Sequence, residues 1–97
     1  MKKFGISKTP SDVLEELASK FRVQRKELGL SQSELADRSG VSLGSLKRFE
    51  NSGQISLESL LKLAFILTRL EDFDLVLKPK ENTKDIEKLF SDKTRRS

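Results

Sequence analysis

The stretch "QSELADRSGVSLGSLKRF", residues 32–49, carries the pattern that decides the fold. In it, Leu35 is followed by the small Ala36, three variable residues, and then Gly40 with an apolar residue after it. Glycine accepts positive φ at no steric cost, so Gly40 can reverse the chain sharply. Apolar residues resume at Leu46. We therefore expect two short helices that cross closely at Ala36, where a larger side chain would push them apart.

This spacing indicates a helix-turn-helix, in which the second helix presents an exposed face for contact with another molecule. Val41 would plug the turn, while Leu46 and Phe49 would pack the second helix against the rest of the domain. An αα-hairpin in any helical bundle uses a similar turn. The spacing alone therefore leaves a purely structural hairpin open as the alternative.

Cap and stop signals predict four helices, the second and third of which form the motif. Ser11, Ser31, Ser42 and Ser56 are the predicted N-caps, because a serine oxygen accepts from a free amide in the first turn. Ser31 with Glu34 has the spacing of a capping box. Apolar residues at helical spacing give each helix a buried face. The predicted helices lie in residues 11–29, 30–40, 41–53 and 55–70.

After the fourth helix the apolar period changes to two. Phe73, Leu75 and Leu77 alternate with mostly polar residues, which predicts a short strand over residues 71–79. A lone strand is not stable, so we expect a two-fold mate to supply its partner. The alternative is a strand or loop folded on its own domain. We therefore divide the chain into four parts. These are a flexible N-terminal arm (residues 1–10), the helix-turn-helix domain (11–70), the dimerisation strand (71–79) and a polar C-terminal tail (80–97).

The composition favours a small binding protein over an enzyme. The chain has 97 residues with a formal net charge of +4, and it contains neither Cys nor His. The common general base, the thiolate and imidazole metal ligands and any disulfide are therefore missing. We expect no catalytic residue, no metal and no cofactor. No apolar run reaches the roughly 18 residues of a membrane helix, so we expect a cytoplasmic protein.

The sequence resembles the phage-repressor-like helix-turn-helix family, of the Cro/CI or XRE type. The resemblance covers roughly residues 14–70 through "LGLSQSELADRSGVS", "LKRFENSG" and "ISLESLLKLA". It implies an all-α, compact, five-helix-type lambda-repressor-like domain that binds a palindromic double-stranded operator as a homodimer. It also implies that Gln32 contacts backbone phosphate. Arg25 on the first helix would pair with Glu50 at the end of the recognition helix, a pair whose role we interpret as structural.

The third helix supplies the expected DNA contacts, because the major groove accommodates one α-helix. Arg48 or Lys47 can donate to guanine, Leu43 can touch a thymine methyl, and Gly44 leaves room for the backbone to approach the bases. Ser42 and Ser45 can bind phosphates or base edges. Members of the family often carry Gln at the two positions held here by Leu43 and Gly44, so adenine reading by amides is not expected there. Alternatives are solvated positions for the two cations and a core contact for the leucine.

A helix followed by a short alternating strand also resembles the HipB-like antitoxins that partner HipA-type kinase toxins. The run "SLGSLKRFENSGQISLESLLKLAFILTRLEDFD" carries this resemblance. It implies an autoregulating repressor whose second partner is a HipA-like kinase or its split subunits. Two alternatives stay open, which are a stand-alone phage-type or stress regulator without a toxin, and a protein-interaction module that has lost DNA binding.

Overall fold

The computed structural model of the chain describes residues 8–80. Most of the predicted N-terminal arm and nearly all of the predicted tail therefore lie outside the described residues. Within them the chain forms four α-helices and a 3-10 helix. The α-helices are α1 (Pro10–Glu27), α2 (Gln32–Ser39), α3 (Leu43–Ser52) and α4 (Leu57–Ile66), and the 3-10 helix spans Leu70–Leu75. The prediction of an all-helical domain is confirmed for this part of the chain.

The first helix begins earlier than its sequence suggested. The N-cap is Thr9, whose hydroxyl accepts from the Asp12 amide at 3.1 Å, and the Asp12 carboxylate accepts from the Thr9 amide at 3.0 Å. Pro10 then occupies the first helical position, where its fixed φ suits the helix and its missing N–H is no loss. The predicted Ser11 cap is therefore wrong. The prediction took Pro10 as a residue that precedes the helix, whereas proline is also favourable at the first helical position.

The capping box of α2 is confirmed. The Ser31 hydroxyl accepts from the Glu34 amide at 3.0 Å, and the Glu34 carboxylate accepts from the Ser31 amide at 2.8 Å. The hydrogen bond from the Ser31 backbone lowers the pKa of Glu34 below its ordinary value, with a smaller contribution from the Ser31 side chain. The hydrogen bonds of the cap therefore favour the charged form of the Glu34 carboxyl. Its contribution is present above the unfolded pKa of Glu34 and is lost as the pH falls through the lowered folded value.

The core lies where the four α-helices meet. Its largest fully buried side chains are Leu35 from α2, Leu46 and Phe49 from α3, and Leu63 from α4. The Phe49 ring meets the Phe21 ring of α1 edge to face, with centroids 5.4 Å apart. α3 packs on α1 and on α2, and α2 also packs on α4. Burial of these apolar faces is what holds the short helices, since isolated helices of this length are marginal in water.

The segment after α4 corrects the strand predicted for residues 71–79. In the single chain, Leu70–Leu75 is a 3-10 helix, and Phe73 is half-buried against the core. The backbone of this segment is satisfied locally, for example by the Val76 amide, which donates to the Phe73 carbonyl at 3.2 Å. A strand with no neighbour would leave those groups unpaired. Of the three predicted pairing residues, Leu75 and Leu77 are exposed, Leu77 by 94%.

The junction between α3 and α4 depends on a glycine with almost no room around it. Gly53 is buried, has a φ of 83° and ends α3. A Cβ added there would lie 2.7 Å from the Leu14 Cβ and 2.8 Å from the Leu14 carbonyl oxygen. Gly29, after α1, has a φ of 72° but nothing within 4 Å of the same position. The two glycines therefore share the backbone requirement, and only Gly53 adds a steric one.

We expect Gly53→Ala to destabilise the domain more than Gly29→Ala. Both variants place an L-residue in the left-handed region, which costs about 1–2 kcal/mol. Gly53→Ala also forces α1 away from the end of α3, which adds about 1–3 kcal/mol by overpacking. Urea denaturation followed by circular dichroism measures both. Equal losses in the two variants would show that the contact with Leu14 relaxes freely.

Candidate nucleic-acid interface

The turn between α2 and α3 sets the direction of α3. Gly40 has a φ of 80° and donates its amide to the Ala36 carbonyl at 3.0 Å, which ends α2. Val41 is buried directly after it, and Ser42 is already the N-cap of α3. Because the connection is only three residues long and its middle residue is buried, α3 is held at a defined angle against α2.

The outer face of α3 is polar and carries only positive charge. Gly44, Lys47, Arg48 and Asn51 follow the spacing of one helical face, and all four are exposed. The acidic residue of this helix, Glu50, points the other way and is buried. A nucleic-acid phosphate backbone placed at this face would therefore meet two cations and no carboxylate from α3 itself. We call these four residues the outer face of α3.

Leu43, one of the residues predicted to contact DNA, differs from the others in its burial. Leu43 is half-buried and packs against the hydrophobic core, which is the alternative that the sequence left open. It is the first residue of α3, and its side chain lies over the turn. Its nonpolar surface is thus only partly available to a ligand. The physical reason is tertiary packing, because the core cluster against which Leu43 lies draws side chains from all four α-helices.

Both serines at the start of α3 make hydrogen bonds to each other. The Ser42 hydroxyl accepts from the Ser45 amide at 3.1 Å and donates to the Ser45 hydroxyl at 2.9 Å. The two side chains are nevertheless exposed. In the free protein they serve the cap of the helix. A phosphate oxygen only accepts, so in this arrangement the Ser45 hydroxyl proton is the one available to it, because the Ser42 hydroxyl proton is donated to Ser45.

Arg48 is positioned by a residue that the sequence analysis missed. Its guanidinium Nη2 donates to Oε1 of Gln54, which lies in the loop after α3. The main chain of that loop is anchored as well, since the Gln54 amide donates to the Ser52 hydroxyl at 3.3 Å. Asn51 was missed too, although its seven-residue distance from Gly44 could have placed it on the outer face. Lys47 is exposed on the same face.

A buried ion pair lies behind the outer face. Arg25 Nε donates to Glu50 Oε2 at 2.7 Å, and Arg25 Nη2 donates to Glu50 Oε1 at 3.0 Å. The fork of the guanidinium thus matches the carboxylate, and Arg25 Nη1 also donates to the Leu30 carbonyl at 2.9 Å. Both residues are buried. The structure brings α1 and α3 together through this pair.

Gln32 takes part in the same network. Its Nε2 donates to Glu50 Oε1 at 2.9 Å, and the side chain is half-buried. One of its two amide hydrogens is therefore engaged inside the protein, whereas the sequence analysis assigned the residue to a phosphate. Because the amide belongs to the first residue of α2, the network joins α1, α2 and α3 at a single carboxylate.

Residues 21–67 match the helix-turn-helix family model. The match covers just under half of the chain and includes α2, the turn and α3. It supports the phage-repressor-like family and, with it, a DNA-binding transcription regulator. No curated protein and no solved structure matches the chain. None of the helices in residues 8–80 is long and apolar enough to cross a membrane.

We expect Glu50→Ala to destabilise the helix-turn-helix strongly. Removing the carboxylate leaves the Arg25 charge buried without its partner, which typically costs about 3–5 kcal/mol. Glu58→Ala is the matched control, because Glu58 pairs with Lys62 at 3.5 Å on the surface, where such pairs contribute about 0–1 kcal/mol. Urea denaturation of both variants gives the comparison. A loss at Glu50 as small as that at Glu58 would mean that water reaches the Arg25 guanidinium.

Proposed function

We propose that the protein is a sequence-specific DNA-binding transcriptional repressor that places α3 in the major groove. The observation that carries the proposal is the outer face of α3, which presents Lys47, Arg48 and Asn51 to solvent while Glu50 is buried behind it. The match of this segment to the helix-turn-helix model supports the same reading. Repression needs no chemistry, only occupancy that blocks polymerase.

Each exposed group on this face has a role that suits its chemistry. The guanidinium of Arg48 can donate to O6 and N7 of one guanine, and its contact with Gln54 restricts the directions in which it points. Lys47 supplies a point charge for phosphate or guanine. Gly44 has no side chain, so the first turn of α3 can lie close to the base edges. Ser42, Ser45 and Gln32 would contribute phosphate contacts at the two helix starts.

The proposed binding unit is a homodimer on a palindromic operator. Two copies of α3 would then enter successive major grooves about 34 Å apart, one turn of DNA. A single outer face with two cations gives few base contacts, so two half-sites are needed for useful specificity. Most of the affinity would come from phosphates and would fall steeply with salt.

At its most specific, the proposal is an antitoxin that regulates its own operon and binds a HipA-like kinase or its split subunits. The resemblance of residues 42–74 to HipB-like regulators supports this reading. The exposed Leu75 and Leu77 also leave apolar surface for another chain. Such a regulator would act in the cytoplasm, at the nucleoid. A stand-alone regulator would use the same DNA contacts without the kinase.

We expect Arg48→Ala to weaken binding to a duplex taken from directly upstream of the coding sequence by about 10- to 100-fold, the worth of one bidentate base contact. Binding to a scrambled duplex should fall much less, because phosphates dominate there. Fluorescence anisotropy across a salt series measures both. Arg69→Ala is the matched control, since it removes an equal charge from an arginine paired with Asp72 outside α3.

The proposal fails if wild type binds the upstream and scrambled duplexes equally weakly and Arg48→Ala changes neither. That result would favour a protein-interaction module. If Arg48→Ala and Arg69→Ala reduce binding equally, the arginine acts only through its charge and reads no base.

Gly44→Ala should change the stability of the domain and its affinity for DNA in opposite directions. No atom lies within 4 Å of a Cβ at this exposed helical position, so alanine should stabilise the domain by about 0.5–1 kcal/mol. The same methyl group would hold α3 away from the bases, so affinity for the upstream duplex should fall. Thermal denaturation and anisotropy give the two values. Unchanged affinity with higher stability would show that the backbone of α3 does not approach the bases closely.

A further inference from the structure

The exposed side of α4 carries an apolar surface that the DNA contacts do not use. Leu57 and Phe65 are 66% and 65% exposed, and Leu61 between them is half-buried, so the three form a stripe at four-residue spacing. Ile66 and Leu70 extend the stripe toward the 3-10 helix. We call these five residues the Phe65 face. Single exposed leucines are ordinary, whereas a contiguous apolar surface with an exposed aromatic ring is typical of an interaction site.

The Phe65 face contains both a projection and a recess. A groove of about 490 Å³ lies between α2 and α4, with Leu61, Ile66 and Leu70 among its lining residues. Phe65 stands at the same groove with most of its ring in solvent. A surface that carries both a projecting side chain and a groove can pack against a copy of itself, as the isologous contact of a two-fold dimer requires.

The rim of the groove carries charges of both signs. Arg38 of α2 and Lys62 of α4 are positive, and Glu58 of α4 is negative. Glu58 pairs with Lys62 at 3.5 Å, yet its side chain stays 80% exposed. With a two-fold axis along the groove, α4 of one copy would lie opposite α2 of the other, so Glu58 of one copy would face the side that carries Arg38 of the other. An acidic or a basic partner would complement the charges of only one sign, whereas a second copy carries charges of both signs.

We propose that the Phe65 face is the contact between two copies of this chain. The inference rests on the proposed dimeric function and names its surface. α4 packs on α2, and α2 packs on α3 and is joined to it by a short turn. A contact between two copies at α4 would therefore fix the distance between their two α3 helices. The segment predicted to pair as a strand offers less, because Phe73 already packs against its own core.

The test is the oligomeric state of the full chain by sedimentation equilibrium. Wild type should be dimeric, and Phe65→Ser should raise the dimer dissociation constant by about 30-fold or more, as expected for an anchor residue. Val23→Ser is the matched control, since Val23 is an exposed apolar residue of α1 outside the groove, and it should change the constant less than twofold. Leu75→Ser tests the strand segment and should also leave the dimer intact.

A second variant tests whether the two copies of residue 65 lie close together in the dimer. The chain has no cysteine, so a disulfide in the Phe65→Cys variant can form only between two introduced thiols. Mild oxidation should give a covalent dimer with Phe65→Cys and not with Val23→Cys. Circular dichroism melts confirm that each variant is folded, which is expected since the substituted side chains are largely exposed.

Two results overturn the inference. If Leu75→Ser dissociates the dimer and Phe65→Ser does not, the strand segment makes the contact, while the dimeric repressor stands. If wild type stays a monomer at a protein concentration of about 100 µM and binds its upstream duplex with dependence on Arg48, the dimer and its surface are both excluded, while DNA reading stands. Retention of half-site binding by Phe65→Ser, with loss of affinity for the full operator, supports the inference.

Discussion

The contact on which the rest of the structure depends is the buried carboxylate of Glu50. It accepts from Arg25 of α1 and from Gln32 of α2, and it belongs to α3. Three helices therefore converge on two oxygen atoms. A buried pair of this kind adds little net stability, because desolvation offsets the attraction, but breaking it is costly. Its effect here is geometric, since all three hydrogen bonds form only while the three helices keep their positions relative to Glu50.

The same contact determines the electrostatics of the surface. Glu50 is the acidic residue of α3, and burial removes it from the face that carries Lys47 and Arg48. An exposed carboxylate one turn from these cations would pair with them and repel phosphate. The outer face is consequently positive although the chain as a whole is only mildly basic. Packing, and not composition, produces the local charge that DNA would meet.

The two sides of the domain present surfaces of different chemistry. α3 presents polar and charged groups, while α4 presents leucines and a phenylalanine. The core side chains Leu35, Leu46 and Leu63 lie between these surfaces and are almost completely buried. Close-packed interiors deform little. A contact between two copies through the Phe65 face would therefore set the distance between their α3 helices without any flexible link.

The sequence by itself determined the helices and the turn. Caps, capping boxes and glycines act through hydrogen bonds and backbone angles within a few residues, and Ser31, Gly40 and Ser42 can be read locally. Tertiary structure decided the rest. Leu43 is half-buried against the hydrophobic core, Gln54 accepts from Arg48 in the loop after α3, and Phe73 packs on the core while its segment forms a 3-10 helix in place of a strand. The burial of Leu43 and Phe73 depends on the core side chains against which they pack, and the Gln54 contact depends on the conformation of the loop after α3; the apolar period alone shows neither.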